Sequence, residues 1–264
     1  MQLQQQFSIK RFFKLFRLHW QQNGSMMMIS LAAFSLIVMI ILFIFQSATR
    51  FLMWNVNFYM GFFLIFYIGF GLLYAGHSFP AFRKKESTIS YLMLPASILE
   101  KYLFELITRL IIFIFFAPGL YWVLANVEGI IAHFFFPQFK NYQFRWNDGL
   151  MGIFGQTIQW NEPLIQVLFL VVVALFVIAF TGASSFRNNP LLKTTLVLGL
   201  LFGSFTLLIY LLFEVGNINQ YHKDTVLFLE TTNEPPWLFF IIFLIIPIVA
   251  LSTVAYYKLK EKEV

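Results

Sequence analysis

Met26-Met-Met-Ile-Ser-Leu-Ala-Ala-Phe-Ser-Leu-Ile-Val-Met-Ile-Ile-Leu-Phe-Ile-Phe-Gln46 carries no charge from end to end. As a helix it would extend about 31 Å, close to the thickness of the hydrocarbon core of a bilayer. Five further apolar runs follow, at about 58–79, 103–125, 164–186, 191–213 and 237–257. In lipid, backbone N–H and C=O groups must be paired within the segment, so runs of this kind are helices. The sequence therefore predicts an all-α, polytopic integral membrane protein: one domain over 1–264 with six transmembrane helices. Residues 7–22 add an amphipathic interfacial helix. Ile9, Phe12, Phe13, Phe16 and Trp20 recur on one face, and Lys10, Lys14, Arg17 and Gln21 on the other. That helix is read either as an anchor or as an elbow that transmits movement from a soluble partner.

Composition agrees. Hydrophobic residues make up 59% of the 264-residue chain and charged residues 11%, too apolar a balance for a soluble domain. The 36 phenylalanines are read as lipid-facing bulk or as an aromatic path for a greasy substrate. No cysteine is present, which removes disulfides, thiolate metal sites and cysteine nucleophiles.

Basic residues set the orientation. Lys10, Arg11, Lys14 and Arg17 precede the first run. Arg83, Lys84, Lys85 and Lys101 lie between the second and third. Arg187 and Lys193 flank the next connection on that side, and Lys258, Lys260 and Lys262 close the chain. The opposite side has only Arg50, Lys140, Arg145 and Lys223, among the acids Glu128, Asp148, Glu162, Glu214, Asp224, Glu230 and Glu234. The positive-inside rule then predicts both termini in the cytoplasm. The +6 net charge reads as topology and attraction to anionic lipid, with no nucleic-acid partner implied.

Three loops stand out. Residues 80–102 form a cytoplasmic loop, and residues 126–162 and 214–236 form external ones, the first rich in Phe, Trp and Tyr. Within 80–102, Glu86–Leu94 reads as a short helix ended by Pro95. Ser97-Ile-Leu-Glu100 is a capping box that starts a new helix near Ile98. A short cytoplasmic helix, a corner and a long membrane helix together make a lever for a soluble partner. Four residues apart in the third run, Glu105 and Arg109 read as a possible intramembrane ion pair. Its alternative roles are a functional site or a structural pair snorkelling at the membrane edge.

The stretch Leu94-Pro95-Ala96-Ser97…Glu100-Lys101, set among six spans, cytoplasmic termini and an amphipathic first helix, resembles the type-2 permeases of ATP-binding-cassette exporters, in particular bacterial members. The resemblance covers the whole chain in layout and about twenty residues in wording. It implies a bacterial cytoplasmic (inner) membrane location, a second permease copy in a homo- or heterodimer, and a separate ATPase subunit docked on the coupling helix. Carried over, that contact falls on Arg83, Lys84, Lys85, Glu86, Ile89, Tyr91, Leu92 and Met93. The family's drug- or polysaccharide-exporter signature is absent from the fifth-span region, so the resemblance leaves the substrate unknown.

Catalytic motifs are missing. There is no phosphate-cradling Gly-x-x-x-x-Gly-Lys-[Ser/Thr], no His-Glu-x-x-His and no Gly-x-Ser-x-Gly, and His19, His77, His133 and His222 are scattered. The sequence predicts no enzyme activity, no cofactor and no metal in this chain. The expected function is the membrane-spanning permease subunit of an ATP-driven exporter. A non-transporting scaffold or assembly protein and a gradient-driven secondary transporter are the alternatives.

Overall fold

A computed structural model describes residues 7–48, 56–83, 88–89, 91, 93–136, 144–146, 163–186, 189–211 and 237–263. Among these residues every long element is a helix: α1 (Ile9–Ala48), α2 (Val56–Gly76), α3 (Ile98–Phe135), α4 (Pro163–Ser185), α5 (Pro190–Tyr210) and α6 (Trp237–Glu263). Five of them contain stretches long and apolar enough to cross a membrane, all but α5. The apolar stretch Pro190–Ser204 of α5 is shorter, although the helix lies where the sequence predicts a fifth span. The described residues form two compact units. One holds residues up to Tyr74 and Ser90–Glu162; the other holds Ala75–Ile89 and Pro163–Lys262.

Two helices differ from expectation. The sequence predicts an interfacial helix over 7–22 distinct from the first span, whereas α1 is a single helix of 40 residues, about 60 Å long. The Asn23-Gly24 pair between the two stretches is a turn signal in sequence, yet the helix runs through it. Gly24 is buried beside the Trp20 indole, and the Asn23 amide lies 3.4 Å from His19 Nδ1. The second correction concerns α3. The loop expected to begin at 126 is helical to Phe135, because Tyr121, Ala125, Glu128, Gly129 and Ala132 make a buried stripe at helical spacing. The remainder of the predicted external loops, 137–143, 147–162 and 214–236, lies outside the described residues.

In the first unit α3 carries two irregularities, and α2 compensates both. Pro118 has no N–H, so the Ile114 carbonyl loses its helical donor; the Tyr67 hydroxyl donates to that carbonyl at 3.2 Å. Ile107–Ile111 is a π-helical turn in which the Ile112 N–H reaches back five residues to the Ile107 carbonyl. The Thr108 carbonyl next to it faces the Tyr74 hydroxyl at 3.4 Å. Without water to take over, a freed carbonyl in a membrane helix needs such partners. Tyr67 and Tyr74, two turns apart on α2, therefore fix its register on α3. Toward α1, Phe34 packs edge-on to Phe70 at 4.7 Å between ring centres.

The second unit is built around α4. Its small residues, Thr181-Gly-Ala-Ser-Ser185, serve packing. A Cβ on Gly182 would lie 2.8 Å from Thr194 Cβ on α5, so only glycine permits this approach. Thr181 Oγ1 donates to the Leu251 carbonyl of α6 at 3.1 Å. Gly76, at the end of α2, likewise accommodates Leu191 where a Cβ would clash, while Gly61 and Gly69 face open space.

Candidate functional site

The segment from α2 to α3 carries most of the predicted site residues, and each unit holds one part of it. In the second unit the chain leaves α2 at Gly76, passes His77 in a turn, and turns at Phe79 with φ 56. A phenylalanine in the left-handed region is strained by about 1–3 kcal/mol. Burial of its ring against Phe180, 5.0 Å away, offsets this by about 1.5–3 kcal/mol. Pro80–Arg83 then forms a 3-10 turn that the sequence reading did not anticipate. It is held on one side by Thr88 Oγ1, which donates to the Ala81 carbonyl at 3.0 Å. On the other, the Lys262 ammonium lies 5.2 Å from the centre of the Phe82 ring. The same ammonium donates to the Ser184 carbonyl, a cation at the C-terminal end of α4 where the helix dipole favours one. The charged tail thus clasps the start of the segment.

Of the predicted docking residues, Lys84, Lys85, Glu86 and Leu92 lie outside the described residues, as does the side chain of Arg83. Thr88, Ile89 and Tyr91 have helical backbone, and Met93 begins the turn before Pro95. Ile89 is exposed, and Met93 is 79% exposed. Tyr91 is half-buried, with its ring 5.4 Å from the Lys101 ammonium.

In the first unit the capping box at the head of α3 is complete. Ser97 Oγ accepts the Glu100 N–H at 3.2 Å, and Glu100 Oε2 accepts the Ser97 N–H at 2.9 Å. The other oxygen of the carboxylate serves the N-terminus. Glu100 Oε1 accepts the Ser8 N–H at 2.7 Å and the Arg11 guanidinium at 3.1 and 3.2 Å. Glu100 is fully buried, and these donors satisfy both its oxygens. One carboxylate therefore binds the head of α1 to the head of α3. Sequence reading finds the cap and misses the second role, because Ser8 and Arg11 are distant in the chain.

Glu105 and Arg109 do pair, at 3.7 Å, and Arg109 also lies 5.0 Å from the Tyr74 ring centre. The pair sits where the π-helical turn begins. Beyond it, residues 110–127 carry no charge, a length of about 27 Å that matches the hydrocarbon core. Arg109 and Glu128 bracket that stretch.

No family model, curated protein or solved structure matches the chain.

Glu128 is the residue that sequence reading placed in a loop. It is 1% exposed. Its Oε2 accepts the Tyr59 hydroxyl at 2.5 Å, and the Tyr121 hydroxyl donates to the Tyr59 carbonyl at 2.6 Å. Oε1 is buried and has no hydrogen-bond partner among the described residues. Among the described residues no lysine, arginine or histidine forms an ion pair with it. Phe144 and Trp146 pack beside this cluster against Tyr59, Tyr121 and Phe63. The one signal in the sequence is the spacing of Glu128 with Tyr121, Ala125 and Ala132 on a single helical stripe. Among the described residues no group of His, Cys, Asp and Glu has the makings of a metal centre.

Proposed function

We propose that the chain is the membrane-spanning permease subunit of an exporter driven by a separate ATPase. The capping box at Ser97–Glu100, tied by the same carboxylate to the head of α1, is the observation that supports this reading. The segment before it leaves Met93 exposed, and the helix after it continues to Phe135 through the π-helical turn and Pro118. The Glu100 carboxylate fixes the head of that helix to α1. A push on Tyr91–Met93 would move α3 as a body instead of bending a loop, as two-state transport requires. The basic residues Arg83, Lys84 and Lys85 complete the docking surface on this reading. Six membrane helices, cytoplasmic termini, residence in the bacterial inner membrane and pairing of two permease copies belong to the same proposal. So does contact of Ile9, Phe13, Phe16 and Trp20 with the interface; Arg11, Leu15 and His19 form the packed side of α1 and leave that apolar face exposed.

The test is the double variant Tyr91→Ala, Leu92→Ala. It is expected to insert and fold normally while losing ATPase binding and ATP-driven flux. Retention of both contradicts the proposal.

Gradient-driven transport is the second reading, and Glu128 favours it by supplying a buried carboxyl at one end of the uncharged stretch. Flux in liposomes under an imposed ion gradient, without ATP, would select it.

A further inference from the structure

Arg109 immediately precedes the uncharged stretch 110–127 of α3. Side chains on a helix lean toward its N-terminus, so this one is directed out of the apolar stretch and toward the head of α3. Its contact with Glu105, one turn nearer that head, agrees with the lean. Hydrocarbon gives way there to a headgroup layer about 5–8 Å deep, within the reach of an arginine side chain.

The guanidinium is positioned without being satisfied. The Tyr74 ring of α2 lies 5.0 Å from it and forms a platform. Glu105 Oε2 comes nearest at Nε, 3.7 Å away, which is too far for a hydrogen bond. His19 of α1 interacts with the Arg109 charge only electrostatically. Among the described residues the guanidinium makes no hydrogen bond, and the side chain is 21% exposed. Arginine stays protonated in proteins, so this cation is permanent. At the edge of hydrocarbon such a group calls for an anionic acceptor.

We propose that Arg109, on its Tyr74 platform, binds the phosphate of a membrane phospholipid. Glu105 stands on the Nε side, which leaves the edge formed by the two Nη groups for a bidentate pair with phosphate oxygens. Phosphate is the anion that a bilayer itself supplies at this depth. The acyl chains remain in the bilayer beside Leu73 of α2 and Ile111 and Ile112 of α3, all exposed, so no cavity is needed. The bound headgroup would brace α2 against α3 at the π-helical turn, where the backbone ladder of α3 is irregular. The inference requires only that 110–127 crosses the hydrocarbon, and holds for any transport mechanism.

The test uses the purified full chain in dodecyl maltoside, a detergent without phosphate. Phosphatidylglycerol and diacylglycerol with the same diazirine-bearing acyl chain are photolysed with it, and labelled peptides are mapped by mass spectrometry. Phosphatidylglycerol is expected to label the peptides around Leu73 and Ile111–Ile112 about tenfold more than diacylglycerol. Arg109→Gln should abolish that preference. Glu105→Gln, which removes the neighbouring carboxylate and keeps the guanidinium, should preserve it. Equal labelling by the two lipids in the wild-type chain overturns the proposal, whether or not Arg109→Gln folds. A preference that survives in folded Arg109→Gln, or is lost in folded Glu105→Gln, overturns it as well. Excess inorganic phosphate, compared with chloride at equal ionic strength, should leave the labelling unchanged. Displacement by inorganic phosphate would assign the site to free phosphate and overturn the lipid as its ligand.

Discussion

Arg11 and Glu100 meet 89 residues apart in the sequence, with the guanidinium Nη2 3.1 Å from Oε1 of a carboxylate that has no exposed surface. The same carboxylate caps α3, so one group joins two membrane helices at their heads. Arg11→Ala is expected to cost about 2 kcal/mol, and Glu100→Ala about 3 kcal/mol because it also opens the cap. The two should be less than additive, since they share one interaction. Thermal unfolding of the four proteins of this cycle in nanodiscs checks both statements; strict additivity would show that the two groups act separately.

Tyr67 and Pro118 form a second linked pair, although they do not bond to each other. Tyr67→Phe leaves the Ile114 carbonyl without a donor and is expected to cost about 1 kcal/mol. Pro118→Ala restores the missing N–H. In that background Tyr67→Phe should be nearly neutral, and unfolding temperatures of the single and double variants measure this directly.

Glycine positions separate by contact. Gly182→Ala forces a Cβ against the Thr194 side chain and should destabilise by about 1–3 kcal/mol through overpacking. Gly199→Ala meets nothing within 4 Å and is expected to be neutral or slightly stabilising. Comparing monodisperse yield and unfolding temperature for the two variants tests the α4–α5 contact.

Lys262 joins the C-terminal tail to the segment before α3. Lys262→Met removes both the bond to the Ser184 carbonyl and the cation over Phe82. The loss should be about 1 kcal/mol or less. Its clearer sign should be faster proteolysis at Arg83–Lys85, read by mass spectrometry of limited tryptic digests.

The sequence is most readable where its signals are local. Uncharged runs fall within helices, and Ser97 with Glu100 announces the start of α3 within four residues. Glu105 and Arg109 are four apart and meet. Less can be read where burial depends on distant partners. Asn126 and Glu128 look like the end of a span, yet Tyr59 and the aromatic cluster around it bury Glu128 inside a helix that continues to Phe135. The apolar stripe of residues 9–20 marks a face for the membrane interface and does not say which side of the helix packs on the protein. That side runs through Arg11, Leu15 and His19, because Glu100 and Phe104 draw it there. Tyr67 and Tyr74 give no sign in sequence that they serve carbonyls of another helix.

The most direct measurement for the central claim is purification of the tagged chain from its native cells in mild detergent, with mass spectrometry of the proteins that accompany it. The account predicts a stoichiometric soluble subunit carrying an ATP-binding loop, lost when Tyr91 and Leu92 are both changed to alanine. A well-folded chain that brings down no ATPase, even after crosslinking, would contradict it.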